Sequence, residues 1–129
     1  MASVNLRSVL SVALGGTIGT AARLGLGLVV PSAGGFPFAI LVANVLGALL
    51  IGVLAARLPA PSDLRLFLGT GVLGGFTTYS AFMTGTVALW TDAPPLAFGY
   101  AVGSLALGLA AAAIGLRIGR PRREAEAAS

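Results

Sequence analysis

Few side chains in this sequence are equipped for chemistry, and their types narrow what that chemistry is. There is no His and no Cys, so the imidazole base and the thiolate nucleophile or metal ligand are both missing. All four acids, Asp63, Asp92, Glu124 and Glu126, fall outside the long apolar stretches of the chain. Inside those stretches stand Arg23, Asn44, Thr77, Thr78, Ser80, Tyr100 and Ser104, with the aromatic pair Tyr79 and Phe82 three residues apart. Hydroxyls with no base beside them do not make an activated nucleophile, which argues against an enzyme. Amide and hydroxyl donors, the positive edges of aromatic rings and one guanidinium make a lining suited to an anion.

Each of these residues also has a plain structural reading. Arg23 can snorkel to an interface. Asn44 can bond across a helix contact, and Ser104 can bond back to its own helix. Tyr100 fits an interfacial aromatic, and Tyr79 with Phe82 fits ordinary packing. The stretch around Gly69, Gly71, Gly74 and Gly75 is more specific. Glycines in a helix interior cost about 1 kcal/mol each, and Thr77, Thr78 and Ser80 follow with hydroxyls that compete for backbone bonds. The combination predicts a helix broken near mid-membrane. Freed carbonyls survive at membrane depth only when buried in protein or satisfied by water or an ion, and half-helix ends of this kind suit Na⁺.

The setting is a bilayer. The 129 residues are 57% hydrophobic and only 9% charged, against about 25% charged in a soluble domain, and mean hydropathy is +0.97. A span needs about 20 apolar residues, and four stretches qualify: about 6–30, 36–56, 66–90 and 96–116, followed by a charged tail over 117–129. The sequence therefore predicts one all-α domain of four transmembrane helices, with Pro31, Pro37, Pro59, Pro61, Pro94 and Pro95 in or beside the connections. The N-terminus lacks the pattern of a cleaved signal and reads as the first span.

Short connections give an up-down-up-down order with both termini on one side. Arg7, Arg57, Arg65, Arg117, Arg120, Arg122 and Arg123 lie on that side, and the opposite loops carry no Arg. The positive-inside rule then puts the termini in the cytoplasm, in the plasma (inner) membrane. The eight Arg are scattered between apolar runs or sit in the tail, which excludes a nucleic-acid surface. Nineteen glycines, including Gly15-Gly16-x-x-Gly19, Gly47 with Gly52, and Gly99-x-x-x-Gly103, predict close helix packing and a dimer.

Over about 14–115 the sequence resembles the CrcB or Fluc fluoride channels. The likeness rests on Gly15-Gly16-Thr-Ile-Gly19-Thr-Ala-Ala-Arg23, on Asn44-Val-Leu-Gly47 through Gly52, on Gly74-Gly75-Phe76-Thr77-Thr78-Tyr79-Ser80-Ala81-Phe82, and on Tyr100-x-x-x-Ser104 with Gly108. The resemblance implies an antiparallel dimer with two narrow fluoride pores. It also implies a central structural Na⁺ on the backbone carbonyls of Gly74 and Thr77. Tyr79 and Phe82 correspond to the family's paired phenylalanines, Asn44 to its pore amide, Tyr100 and Ser104 to the polar track of the fourth helix, and Arg23 to its first-helix arginine. Ser80 is counted with the fluoride path.

The sequence departs from the family pattern at Tyr79, which adds a hydroxyl. Ala81, Ile40 and Gly108 stand where polar residues are common. The one-sided Arg distribution also departs from what dual insertion needs, and suggests a heterodimer with an oppositely oriented homologue, one pore being degenerate. A coupled multidrug-type exporter of similar size is a third reading, against which the lack of an intramembrane carboxylate counts.

Overall fold

The computed structural model describes residues 3–121, and among them every regular element is helical apart from one isolated β-bridge. Four helical segments are long and apolar enough to cross a bilayer: Leu6–Val29, Phe38–Arg57, Asp63–Asp92 and Pro94–Gly119. Arg122, Arg123, Glu124 and Glu126 of the tail lie outside the described residues.

The helix boundaries follow local chemistry. Asn5 opens the first helix, its side chain accepting the Arg7 N–H at 3.0 Å. The loop after it reverses through Gly34 and Gly35, both at positive φ (62° and 77°), with the Phe36 N–H returning to the Ala33 carbonyl at 3.1 Å. Two consecutive residues in that region need glycine. Ser62 Oγ accepts the Arg65 N–H at 3.2 Å and opens the third span. Pro94 and Pro95 lie beside the connection, where they form the first turn of the fourth helix, so that helix starts two residues before the expected 96. There the missing N–H has no partner to lose and φ is already helical. That helix also runs on to Gly119, three residues past the expected end.

Packing pairs the spans unequally. The first helix lies on the N-terminal half of the third span, and the second helix lies along the fourth. The C-terminal half of the third span packs on the fourth helix. Small residues set these contacts. A Cβ on Gly15 would stand 2.6 Å from the Phe67 carbonyl oxygen, and one on Gly71 would stand 3.0 Å from the Gly15 Cα. Gly52 and Gly115 bring the second and fourth helices together in the same way. Gly99 and Gly103 behave differently: a Cβ on either meets nothing within 4 Å, so that pair makes no close approach within the chain.

The third span is interrupted as expected, but at Thr77, two residues after Gly75, the last glycine of the 69–75 stretch. Asp63–Arg65 is a helical turn, Leu66–Leu73 is a π-helix and Gly74–Phe76 returns to α geometry. Thr77 is then extended (φ −82°, ψ 158°), and the helix resumes over Ser80–Asp92. The glycines do not break the chain. Gly71 and Gly75 let it press against the first helix and Gly69 faces Ile51 and Leu54 of the second, while the hydroxyl residues make the break. Thr77 Oγ1 bonds back to the Leu73 carbonyl at 2.9 Å. Thr78 Oγ1 accepts the Ala81 N–H at 3.1 Å, serving the first turn of the new helix as a capping side chain does.

Candidate ion site at the helix break

A break at membrane depth leaves carbonyls without helical donors, and each needs another partner. Two of them are claimed by side chains from neighbouring helices. Asn44 Nδ2 donates to the Thr78 carbonyl at 2.9 Å while its Oδ1 accepts the Thr78 N–H at 2.8 Å. Thr20 Oγ1 and Arg23 Nε donate to the Gly75 carbonyl at 3.4 and 3.3 Å. Among the described residues, the Gly74 and Thr77 carbonyls accept no hydrogen bond. These are the two carbonyls that the resemblance assigns to Na⁺. Neutral backbone oxygens at a helix end are the donor type a hard monovalent cation takes. Among the described residues no group of three or more His, Cys, Asp or Glu could hold a metal instead.

A cleft of about 500 Å³ opens against the break. Asn44, Gly47, Gly74, Thr77, Thr78, Tyr79, Phe82 and Ser104 line it with apolar residues, and no charged residue does. Arg23 is not part of this lining; it reaches the break from the first helix. A second cleft of about 610 Å³ lies toward the end that holds Ser62, Asp63 and Arg65. Ile51 and Gly69 line both, so the two are neighbours along the third span.

Aromatic rings continue from the break. Tyr79, 76% exposed, stands 6.2 Å from Phe82 between ring centroids. Phe82 stands 5.4 Å from Tyr100, and Phe36 meets Tyr100 edge-on at 5.3 Å. These spacings fall in the range of favourable aromatic pairs. Tyr100 is 2% exposed, yet among the described residues its hydroxyl and the Ser104 hydroxyl are buried with no hydrogen-bond partner. Buried hydroxyls are normally satisfied, and these two stand one turn apart on the fourth helix. Ser80 stays at the break, its Oγ 3.3 Å from Thr78 Oγ1.

The structure thus brings Asn44, Tyr79, Phe82, Ser104, Gly74 and Thr77 to one cleft, with Tyr100 behind Phe82 and Arg23 on the opposite side of the break. Two participants were not singled out from the sequence. Thr20 lies three residues before Arg23 and shares its acceptor. Phe36 sits next to the proline that starts the second helix. The signal for Thr20 was its place on the face of Arg23; for Phe36 there was none, because its partner is 64 residues away.

The fold and the site define a polytopic helical membrane protein organised around a broken third helix. Residues 10–116 match the family described as CrcB-like protein, Camphor Resistance (CrcB). The chain belongs to that family. It is 46% identical over 115 residues to a fluoride-specific ion channel FluC of Paracoccus denitrificans, covering 86% of this chain and 93% of that one. It is 45% identical over 116 residues to a FluC of Thermus thermophilus, covering 85% and 93%. A FluC 2 of Corynebacterium jeikeium is 48% identical over 97 residues, covering 70% of this chain and 57% of that one.

Proposed function

We propose that the chain is a fluoride-selective passive channel of the plasma membrane that lets cytoplasmic fluoride out. The observation that carries this reading is the pair of orphaned buried hydroxyls, Tyr100 and Ser104, beside the Phe82 ring and an uncharged cleft. Fluoride is small and strongly hydrated, so only close, fixed donors replace its water. The hydroxyls, the second hydrogen on Asn44 Nδ2 and the ring edges of Tyr79 and Phe82 supply such donors without a full charge that would hold the ion too tightly. Ser80 belongs to the same path. No Asp, Glu or His lines the cleft, which fits passive flow better than a coupled exporter. A membrane potential negative inside favours anion exit by about 2.3 kcal/mol per 100 mV.

The assembly is an antiparallel dimer in this reading. Gly74 and Thr77 of each copy would hold Na⁺ at its centre, where the ion would tie the two breaks together. In a homodimer of this kind only one of the two copies has its termini in the cytoplasm. The Arg distribution favours a second form of the assembly, with an oppositely oriented homologue as partner: Arg7, Arg57, Arg65, Arg117 and Arg120 all belong to one end of the bundle. Reporters fused to the C-terminus test this, since comparable populations on both sides of the membrane overturn a fixed orientation. The channel itself is tested by reconstituting the chain alone into fluoride-loaded liposomes and following efflux with a fluoride electrode. Fluoride efflux well above a chloride control is expected; silence from folded protein that a homologue does not rescue overturns the reading.

A further inference from the structure

We infer that Arg23, together with Thr20, is a positioning clamp on the broken helix and not a group in the anion path. The inference rests on the reading above only for the Na⁺ assigned to Gly74 and Thr77. Gly16, Thr20 and Arg23 are spaced i, i+4 and i+7, which puts them on one face of the first helix. That face lies on Gly75: a Cβ there would stand 3.0 Å from the Gly16 Cα. The contact between two glycines brings the Gly75 carbonyl within reach of Thr20 Oγ1 at 3.4 Å and Arg23 Nε at 3.3 Å. One carbonyl thus takes two donors, one of them charged, and charge-assisted bonds are the stronger kind. Gly74 and Phe76, on either side of Gly75, belong to the last helical turn before the break. Holding the Gly75 carbonyl fixes the Gly75–Phe76 peptide unit, and through the helical turn shared with Gly74 it steadies the Gly74 carbonyl and the entry into Thr77.

The clamp also decides the donor set. Gly75 is held by the first helix and Thr78 by Asn44, so Gly74 and Thr77 are left to face a cation. Electrostatics acts the other way. A guanidinium near the site repels Na⁺, so a purely electrostatic role for Arg23 predicts tighter Na⁺ binding when its charge is removed.

The test uses the full chain in detergent, with Na⁺ titrated against K⁺ at constant ionic strength and thermal stability as the readout. Fluoride half-saturation is measured separately in liposomes. Thr20→Val removes one donor without changing charge and is expected to raise the Na⁺ concentration for half-maximal stabilisation about threefold, with Thr20→Ser restoring it. Arg23→Gln is expected to raise it about tenfold. Fluoride half-saturation stays within about twofold of the parent in the variants that conduct, since a positioning residue outside the path does not bind the ion. An unmoved Na⁺ titration in Thr20→Val overturns the clamp, as does tighter Na⁺ binding in Arg23→Gln or a shifted fluoride half-saturation with the Na⁺ titration unchanged. If Arg23→Gln does not fold, Thr20→Val and Thr20→Ser decide alone. A parent chain that Na⁺ does not stabilise overturns the inference at its premise. One that Na⁺ stabilises but that carries no fluoride overturns the transport reading and leaves the clamp standing.

Discussion

Asn44 pairs with Thr78 as one strand pairs with another, giving Nδ2 to its carbonyl at 2.9 Å and taking its N–H on Oδ1 at 2.8 Å. An amide side chain offers a donor and an acceptor in a single plane, and here both are spent on the same residue. The pairing satisfies a peptide group that the break would otherwise strand inside the membrane. It uses one of the two Nδ2 hydrogens and leaves the other to face the cleft.

Asn44→Asp puts an acceptor against the Thr78 carbonyl and a charge or a strained proton at membrane depth. Leaving a buried donor or acceptor unmade costs about 1–3 kcal/mol. The variant is expected to lose stability by that order and to conduct no fluoride above the protein-free leak, checked by thermal unfolding in detergent and by liposome efflux. Asn44→Gln, long enough to misplace the same groups, should fall between the two.

That pairing also shows where sequence reading stopped. The four spans were legible because hydropathy and length are summed over about 20 residues and survive small errors. The break was legible from Gly74 to Ser80, though its position was not. Glycine's weak helix propensity pointed at Gly74 and Gly75, yet both stay helical, with Gly75 packed on Gly16 and the neighbouring Phe76 on Gly19 of the first helix. The interruption falls at Thr77 instead, where side-chain oxygens from within and beyond the helix compete for the backbone. Arg23 and Asn44 stood out as polar residues in apolar runs. What each one bonds was hidden, because the acceptors lie 52 and 34 residues away and no local pattern encodes that pairing.

The glycines separate into two kinds, and alanine distinguishes them. At Gly15 a Cβ would stand 2.6 Å from the Phe67 carbonyl oxygen and 2.9 Å from the Gly71 Cα, both backbone atoms that cannot rotate away. Gly15→Ala is expected to cost about 1–3 kcal/mol, as overpacking does. At Gly27 a Cβ meets nothing within 4 Å, so Gly27→Ala should be neutral or stabilise the helix by up to about 1 kcal/mol. Unfolding of both variants in denaturant or heat reads the difference directly. Equal effects would show that the first helix does not pack as described.

Tyr79 is the most exposed ring near the break, and its hydroxyl is the chain's clearest departure from a bare aromatic edge. Tyr79→Phe removes that oxygen from a largely exposed side chain, so stability should stay within about 0.5 kcal/mol. Fluoride efflux is expected to persist, because the ring edge that faces Phe82 at 6.2 Å is kept. Efflux falling to the leak rate would move the hydroxyl itself into the path. Phe82→Ile is the complementary change: it removes the ring between Tyr79 and Tyr100, costs about 0.5–1.5 kcal/mol of aromatic contact, and should stop fluoride efflux.

The Tyr100 and Ser104 hydroxyls give the prediction that most sharply divides stability from function. Both are buried and find no partner among the described residues, so burial strips them of water without a hydrogen bond from those residues in return. Replacing such a group by an apolar one of similar shape removes a desolvation penalty of about 1–3 kcal/mol. Tyr100→Phe keeps the ring contacts with Phe36 and Phe82 at 5.3 and 5.4 Å, and Ser104→Ala leaves only a small void. Each is expected to raise the unfolding temperature while slowing fluoride efflux, and the double variant should do both more strongly. A residue kept only for packing would move neither property this way. Polar groups that cost stability and are retained beside an ion cleft fit a trade in which the passing anion is their missing partner. If Tyr100→Phe and Ser104→Ala lower stability and leave efflux unchanged, the hydroxyls serve the fold and the fluoride path lies elsewhere.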